Sequence, residues 1–553
     1  MSYRTYGPLD DPIRTEGDQG FLGVDTYLEP EMLKPGFCQA AHNMRMNGDL
    51  ASVRKGLDFL AGSVTLTYSS GDEQVFAAGM YSDPDDDNKN WLLVATKTKA
   101  IIWNKSTTSG LNVNYDTGTN PTVTTAQNPT IVQANNKVYI MRLGQRPLIW
   151  DGNTAATGVT VNSEFEVLSA SASGSGDPFP STDYAIWFRN RMIGIQPPTV
   201  ATPTTAKTGS SIVVMSDLLD VNNIVSSESE FYIGFGSNDH CVGIIGYQDN
   251  QIFVFNRRSI HLISNVHATS ISEHYELTRE FGCVARRTIA QSGSQTYFLS
   301  DKGVYIVTPG LDPAKGMGVA VSKAQGEATP LSRPMQDEFD EVNMVESVVS
   351  KASAVVFDNK YFIAVPTGSD TVAKTVFVYD ILLEAWVSKD TYPQEISGWV
   401  VMPYGSNPEK DRLFAVGPTG FYLMEENAGL DDSGREIGST SESGTTAIAG
   451  KLKTRSFSFG DLDVKRWKRG QLGVNVVNND AFTIKVNTTD PDASETVLSH
   501  VATGTEEALL RFGARTRGYS CNVEIDVTAG SPSFRHVSID ATDNSLNARR
   551  EVA

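Results

Sequence analysis

Residues 247–264 read YQDNQIFVFNRRSIHLIS: a polar tight turn, a run of Ile, Phe and Val, a second polar turn and a further apolar run. β-Branched and aromatic residues favour strands, and Asn, Asp and Gly accept the backbone angles of tight turns. The phrase therefore reads as a hairpin. Its pattern returns at 135–153 (NNKVYIMRLGQRPLIWDGN), 188–198 (FRNRMIGIQPP), 292–308 (SGSQTYFLSDKGVYIVT), 357–367 (FDNKYFIAVPT) and 411–424 (DRLFAVGPTGFYLM). The turns recur roughly 45 to 65 residues apart, the scale of one four-stranded sheet with loop insertions. Short sheets repeated at that period predict an all-β chain built on an irregular β-propeller of six or seven blades.

The flanks of the repeats read differently. With 553 residues the chain exceeds the size at which one core stops growing, so several domains are expected. Residues 1–60 form an arm: a turn at 33–36, strand alternation over 37–46, the hairpin turn NGD at 47–49 and a second strand at 50–53. Residues 61–430 carry the propeller, with loop insertions at 155–181, 197–211 and 310–350. The first two are Ser/Gly/Thr/Pro-rich and should project from blade edges. Met335, Phe339, Val342 and Val345 in the third are spaced for one short helix. Residues 425–449, rich in Gly, Ser, Thr and acid, read as a linker. Residues 431–553 continue as alternating strands with frequent turns, a β-sandwich, and end in a polar tail. Because a propeller closes on itself, arm and sandwich emerge at the same point of the ring and should pack together as one platform.

Little in the sequence points to catalysis. There is no G-x-S-x-G, H-E-x-x-H or Walker phosphate loop; GFGSND at 234–239 lacks the third glycine and following helix of a dinucleotide site. DPDDDN at 83–88 begins like a calcium loop, yet its glycine and bidentate-acid positions hold Asn88 and Val94, which suits a solvated acidic loop. Cys38, Cys241, Cys283 and Cys521 are scattered, arguing against a disulfide scaffold or zinc site and for folding in a reducing cytoplasm. His240, His261, His267 and His274 are near one another in sequence, where a core or surface role is the plain expectation. No cofactor or metal is implied, and no enzyme activity is expected. The N-terminus shows no secretory signal, and no apolar run approaches a membrane span.

The net charge of −19 argues against a dedicated DNA-binding protein. Basic residues nevertheless cluster at Arg257/Arg258, Arg286/Arg287, KRWKR (465–469) and Arg511/Arg515/Arg517. Cations around Trp467 suit phosphate binding with base stacking, or docking to an acidic protein. The charge balance favours docking.

Three features, LEPEMLKPGFCQAAHNMRMNGDLASVRKG at 28–56, the propeller-like repeats, and a terminal sandwich entered through FGDLDVKRWKRG at 459–470, resemble the tail nozzle proteins of short-tailed bacteriophages, also called tail tubular or tail hub proteins. The chain is shorter than some members of that family, which leaves their tip insertions without a counterpart to assign. The resemblance implies a structural virion protein of the tail, assembled in the host cytoplasm as a homo-hexamer below the portal and an adaptor (head-to-tail connector) protein. Such a ring is a conduit for genome ejection, passes double-stranded DNA without sequence-specific binding, meets a needle or plug protein, and mounts a tail fibre or tailspike. Six-fold symmetry multiplies each lumen residue by six, and six phosphate-binding lysines would hold DNA fast. Net-acidic lumen loops are thus expected. For the adaptor or subunit contact, the platform offers Arg45, Arg54, Arg466, Trp467 and Arg469. The alternative reading is a carbohydrate-binding or carbohydrate-cleaving β-propeller used in host recognition, which would need an aromatic-lined channel and, for cleavage, two converging carboxylates.

Overall fold

The computed structural model describes residues 13–543 except 60–74, 84, 86–89, 104–110, 117–120, 125–126, 153–163, 197–211, 226–228, 235–238, 249, 267–271, 313–315, 322, 325–326, 405–409, 426–429, 435–443, 461–462, 489–494 and 515. The expected insertion at 197–211 and the polar tail therefore lie outside the described residues.

Each repeat folds as an antiparallel four-stranded sheet. In the repeat containing the opening phrase, Cys241–Tyr247, Gln251–Asn256, Ile260–Ser264 and Glu273–Thr278 pair in that order. Its second strand, QIFVFN, is apolar on both faces because each face packs on a neighbouring sheet. The polar turns are built as the composition suggests. Asn135/Asn136, Arg189/Asn190 and Asp358/Asn359 all carry positive φ, the pairing that two-residue type I′ hairpins demand.

Among the described residues, six free-standing four-stranded sheets stand around a ring, and a further four-stranded unit lies between the fifth and sixth. Numbered in chain order, blades 1 to 5 open on the inner strands Ala77–Ser82, Thr130–Ala134, Ala185–Phe188, Cys241–Tyr247 and Ala290–Ser292. Blades 6 and 7 open on Ser353–Phe357 and Gly398–Tyr404. Neighbouring inner strands pack side by side, except that blade 4 meets blade 5 through the turn Arg286–Thr288, and blade 7 returns to blade 1. Glycine sets that approach where blade 4 meets blade 3: a Cβ on Gly246 would lie 2.4 Å from Phe188 Cδ2.

Closure uses the far end of the arm. Asp58–Phe59 pairs with Gly420–Leu423 and becomes the outer strand of blade 7, so one sheet joins residues from both ends of the propeller. The arm is thus part of a blade as well as of the platform.

Blade 6 differs from the other six. Its outer strand Ala385–Thr391 meets Phe37–His42 of the arm, which pairs in turn with Gly450–Thr454; the sheet runs on through Cys521–Ala529, Ala481–Thr488 and Glu495–Val501. A second sheet, built on Lys465–Val476, Glu506–Gly513 and Ser533–Asp543, adds the arm hairpin Met44–Met46/Ala51–Val53 and Arg14–Asp18. The two sheets face each other across Leu472, Val474, Val537 and Ile539 on one side and Leu452, Ile484, Val523 and Ile525 on the other. Blade 6, arm and sandwich share this continuous core. The platform is one body with the propeller.

Four expectations change. The arm does not hold one strand over 37–46, because Asn43 adopts φ 55° and splits it. The Asn43 amide accepts from Thr391 N–H (3.0 Å) and Arg54 Nε (2.9 Å) and donates to Ala449 O (2.8 Å), so tertiary partners hold the left-handed kink. The described part of 155–181 does not project: Phe179 and Leu168 bury against Val221 and Ile224, and Asp177 bridges to Ile224. The 310–350 stretch begins inside blade 5, whose last strand is Gly316–Val321, and then forms two short helices, Gln336–Phe339 and Glu346–Val349. In the expected linker, Asp431–Gly434 pairs with Gly444–Ala447.

Candidate functional site

The residues singled out on the platform divide into interior and surface. Arg54 is 1% exposed. Its guanidinium forks onto Asp432 (2.8 and 2.7 Å), donates to Thr391 O and Lys55 O, and lies 3.9 Å from the Tyr392 ring centroid. Arg45 reaches Asp390 (2.7 Å) and Glu425 (2.5 Å). Burial by itself would lower the Arg45 and Arg54 pKa, but the surrounding anionic groups outweigh it and raise both. Trp467 is 0% exposed and stacks near Phe459 between the sheets. Arg54 and Trp467 are closed off from any partner, and Arg45, half-buried, is held by its two carboxylates at the joint between arm and propeller.

Arg466 and Arg469 do reach solvent. A bulge between Trp467 and Arg469 inserts one residue and puts Lys468 on the surface too. Arg469 is bound to Asp540 (2.5 Å) with its side chain 60% exposed. Arg466 stands directly opposite exposed Arg517 in the strand register, and neither has an ion-pair partner among the described residues. Like charges placed opposite one another on a sheet are unfavourable, and among the described residues Arg466 and Arg517 make this corner a basic patch on an acidic chain. The clustering of Arg466 with Arg517, 51 positions apart, is a product of register. Arg515 lies outside the described residues.

The second site is the propeller axis, where the sequence singled out Arg286 and Arg287 only as a basic pair. They sit on a short 3-10 turn, Arg286–Thr288, between blades 4 and 5. Arg286 pairs with Asp183 of blade 3 and donates to Asn128 O (2.8 Å). Arg287 crosses to Asn128 Oδ1 (3.0 Å) and Pro129 O (3.1 Å) at blade 2 and to Ser397 O (3.2 Å) at blade 7. Together they bar the axis.

Consecutive residues line the spaces on either side of this crossbar. Asn128, Asp183 and Arg286 face an outer vestibule of about 470 Å³, with His240, Arg257 and Glu346. Pro129, Tyr184 and Arg287 face an inner chamber of about 240 Å³, with Phe76, Thr130, Ile131, Ser353, Val355 and Trp399. The vestibule's carboxylates are paired, Asp183 with Arg286 and Glu346 with Arg257 (3.2 Å). No carboxylate lines the inner chamber among the described residues. Burial and then the neighbouring Arg286 lower the Arg287 pKa to about 10, so it stays charged at neutral pH. This geometry can attract an anion; it does not set two carboxylates across a sugar ring.

The remaining histidine signal resolves into a chain of contacts in blade 4. His261 Nδ1 lies 3.0 Å from His274 Nε2, and its Nε2 lies 2.8 Å from Ser259 Oγ, which donates to Asp239. Serine here stands between aspartate and histidine, the wrong order for a nucleophile activated by an oriented base. His267 and most of the acidic run 83–88 lie outside the described residues. All four cysteines are buried and unpaired, and burial raises their pKa. No group of three or more His, Cys, Asp or Glu suited to a metal occurs among the described residues. Nor is any described helix long and apolar enough to cross a membrane.

No protein-family model and no curated protein sequence matches the chain. Among solved structures, it is similar to a chain in "Crystal structure of BBS1N in complex with ARL6DN, soaked with mercury", with 14% identity, 68% of this chain and 99% of that one covered, and a TM-score of 0.35. A second is "YCF48 from Cyanidioschyzon merolae", with 10% identity over 64% and 95% of the two chains and a TM-score of 0.34. A third, titled "Glycoside hydrolase", shares 10% identity over 86% and 99% with a TM-score of 0.22. Likenesses this distant assign no role. The class defined by the fold is a β-propeller fused to a sandwich platform.

Proposed function

We propose that the chain is a structural subunit of a short bacteriophage tail: a nozzle protein that forms a homo-hexameric ring below the portal and adaptor, conducts the genome, and carries fibres or spikes. The observation that carries this reading is the continuous ten-stranded sheet through blade 6, arm and sandwich. A subunit that must transmit force between a head and a tail tip needs such a weld, since separately hinged domains would flex. The barred axis is consistent with it. Duplex DNA cannot pass through a propeller crossed by Arg286 and Arg287, so a conduit has to lie between copies. The basic corner at Arg466, Lys468 and Arg517 then supplies a charged contact for an acidic neighbour, either the adaptor or an adjoining subunit.

Light scattering and negative-stain imaging of the purified chain, alone and mixed with adaptor, test the reading. Six-fold rings are expected with adaptor present. A monomer under both conditions, with glycan binding or depolymerisation, would instead favour the carbohydrate reading, for which the aromatic lining of the inner chamber by Phe76, Tyr184 and Trp399 is the supporting feature.

A further inference from the structure

The arm loop at 25–34 joins two surfaces of opposite charge. At one end Thr26 N–H donates to Pro334 O (2.7 Å), and the Arg333 guanidinium lies 4.9 Å from the Tyr27 ring centroid. There the chain enters the two short helices, where residues 336–346 hold five carboxylates, Asp337, Glu338, Asp340, Glu341 and Glu346, and no Lys or Arg. Lys389 takes Glu338 and Glu341, and Arg257 takes Glu346. Asp337 and Asp340 are exposed and have no ion-pair partner among the described residues; Asp340 accepts only from the Gln336 amide (2.7 Å). At the other end Ser520 Oγ donates to Glu31 (2.8 Å) and Ser456 N–H to Pro30 O (3.0 Å), which brings the loop to the corner of Arg466, Lys468 and Arg517. Tyr27, Met32 and Tyr519 are half or more exposed along this path, and Val345 is 59% exposed beside the acidic helices. Aromatic residues, Met and Arg are the side chains enriched at protein interfaces.

We propose that the basic corner of one copy docks on the acidic helices of a second copy, with the exposed apolar residues inside a charged rim. The occupant is a second copy because the chain carries both halves of the contact. Its net charge of −19 makes the corner complementary to its own kind, and the two patches lie at opposite ends of the arm loop. Two unlike patches on one subunit form a heterologous contact, which closes into a ring or runs on as a filament. Opposite charges across it steer the encounter and fix the register. The inference deepens the nozzle reading and rests on it for the ring form alone.

Light scattering of the full chain at low salt, with and without adaptor, tests it on two double variants, Arg466→Glu with Arg517→Glu and Asp337→Lys with Asp340→Lys. Each alone should associate roughly tenfold or more weakly than wild type, since like charges then face one another. An equal mixture should regain wild-type association, because the reversed corner of one variant meets the reversed helices of the other. Mixing would not repair a folding defect. Unchanged association in either variant, or no recovery in the mixture, would overturn the proposal, and rings from wild type would then leave the nozzle reading standing. Association that the mixture restores, with no ring in the presence of adaptor, would keep the contact and remove the nozzle reading. A wild type that stays monomeric under every condition would remove both.

Discussion

Arg54 of the arm and Asp432 of the segment after blade 7 form a two-pronged ion pair, with both nitrogens within 2.8 Å of the carboxylate and both side chains almost wholly buried. The pair joins residues 378 positions apart. It also fixes the N–H of Leu57, which donates to the same carboxylate one residue before the strand that closes the propeller. One carboxylate thus touches both the platform and the segment that closes the ring.

Removing one partner of a buried pair strands the other charge, which costs about 3–5 kcal/mol. Arg54→Ala should lower unfolding free energy by that amount in urea titration. Arg54→Lys should rescue little of it, since an ammonium cannot fork onto Asp432 while stacking on Tyr392.

The blade 3 to blade 4 approach depends on Gly246. A Val there would drive Cβ into the Phe188 ring, and overpacking of this kind costs about 1–3 kcal/mol. Gly246→Val should shift the urea midpoint accordingly, and Gly246→Val with Phe188→Ala should recover part of the loss. An additive double mutant would disprove the contact's role.

His261 should make stability pH-dependent. Burial first, then the charge of His274 against it, lowers its pKa to about 4, although Glu276 and Asp239 act in the opposite sense. Ser259, Asn256 and Arg279 complete its surroundings. The unfolded chain titrates this group near 6.5, so below that pH the unfolded state binds the extra proton first. The contribution is present above about pH 6.5 and is lost as pH falls towards about 4. His261→Gln should flatten the urea midpoint over that window relative to wild type.

At the basic corner, stability and assembly should move in opposite directions. Arg466→Glu converts a like-charged cross-strand pair with Arg517 into an opposite-charged one, stabilising the chain by at most about 0.2–1 kcal/mol. The same change should weaken adaptor or subunit association measured by light scattering, most strongly at low salt. Arg469→Glu is the contrasting variant, because it breaks the Asp540 pair and should lower stability as well. Unchanged assembly in Arg466→Glu would remove the corner from the interface.

Much of the ring was legible from local chemistry. The turns at Asn135/Asn136 and Asp358/Asn359, the runs between them and the alternation of residues 521–529 are set by neighbours within a few positions, and these became hairpins and sandwich strands. The burial of Phe179 was not legible, because the Ser/Gly-rich stretch around it gives no periodicity and its partners, Val221 and Ile224, lie in the next blade. The pairing of Arg45 and Arg54 was not legible for a similar reason: sequence shows a charge but not its counter-charge. Asp390, Glu425 and Asp432 lie more than 300 positions away.

By itself, the order of residues determined that this chain makes short antiparallel hairpins at a repeating interval, and that its two ends must meet where the repeats close. Those properties follow from turn angles, strand alternation and the need to bury apolar faces. Only the tertiary structure decided which charges are interior rivets and which remain on the surface, that blade 6 runs on into the platform, and that Arg286 and Arg287 cross the axis. Each of these depends on strand register and long-range contact, where a shift of one residue would turn every side chain to the opposite face.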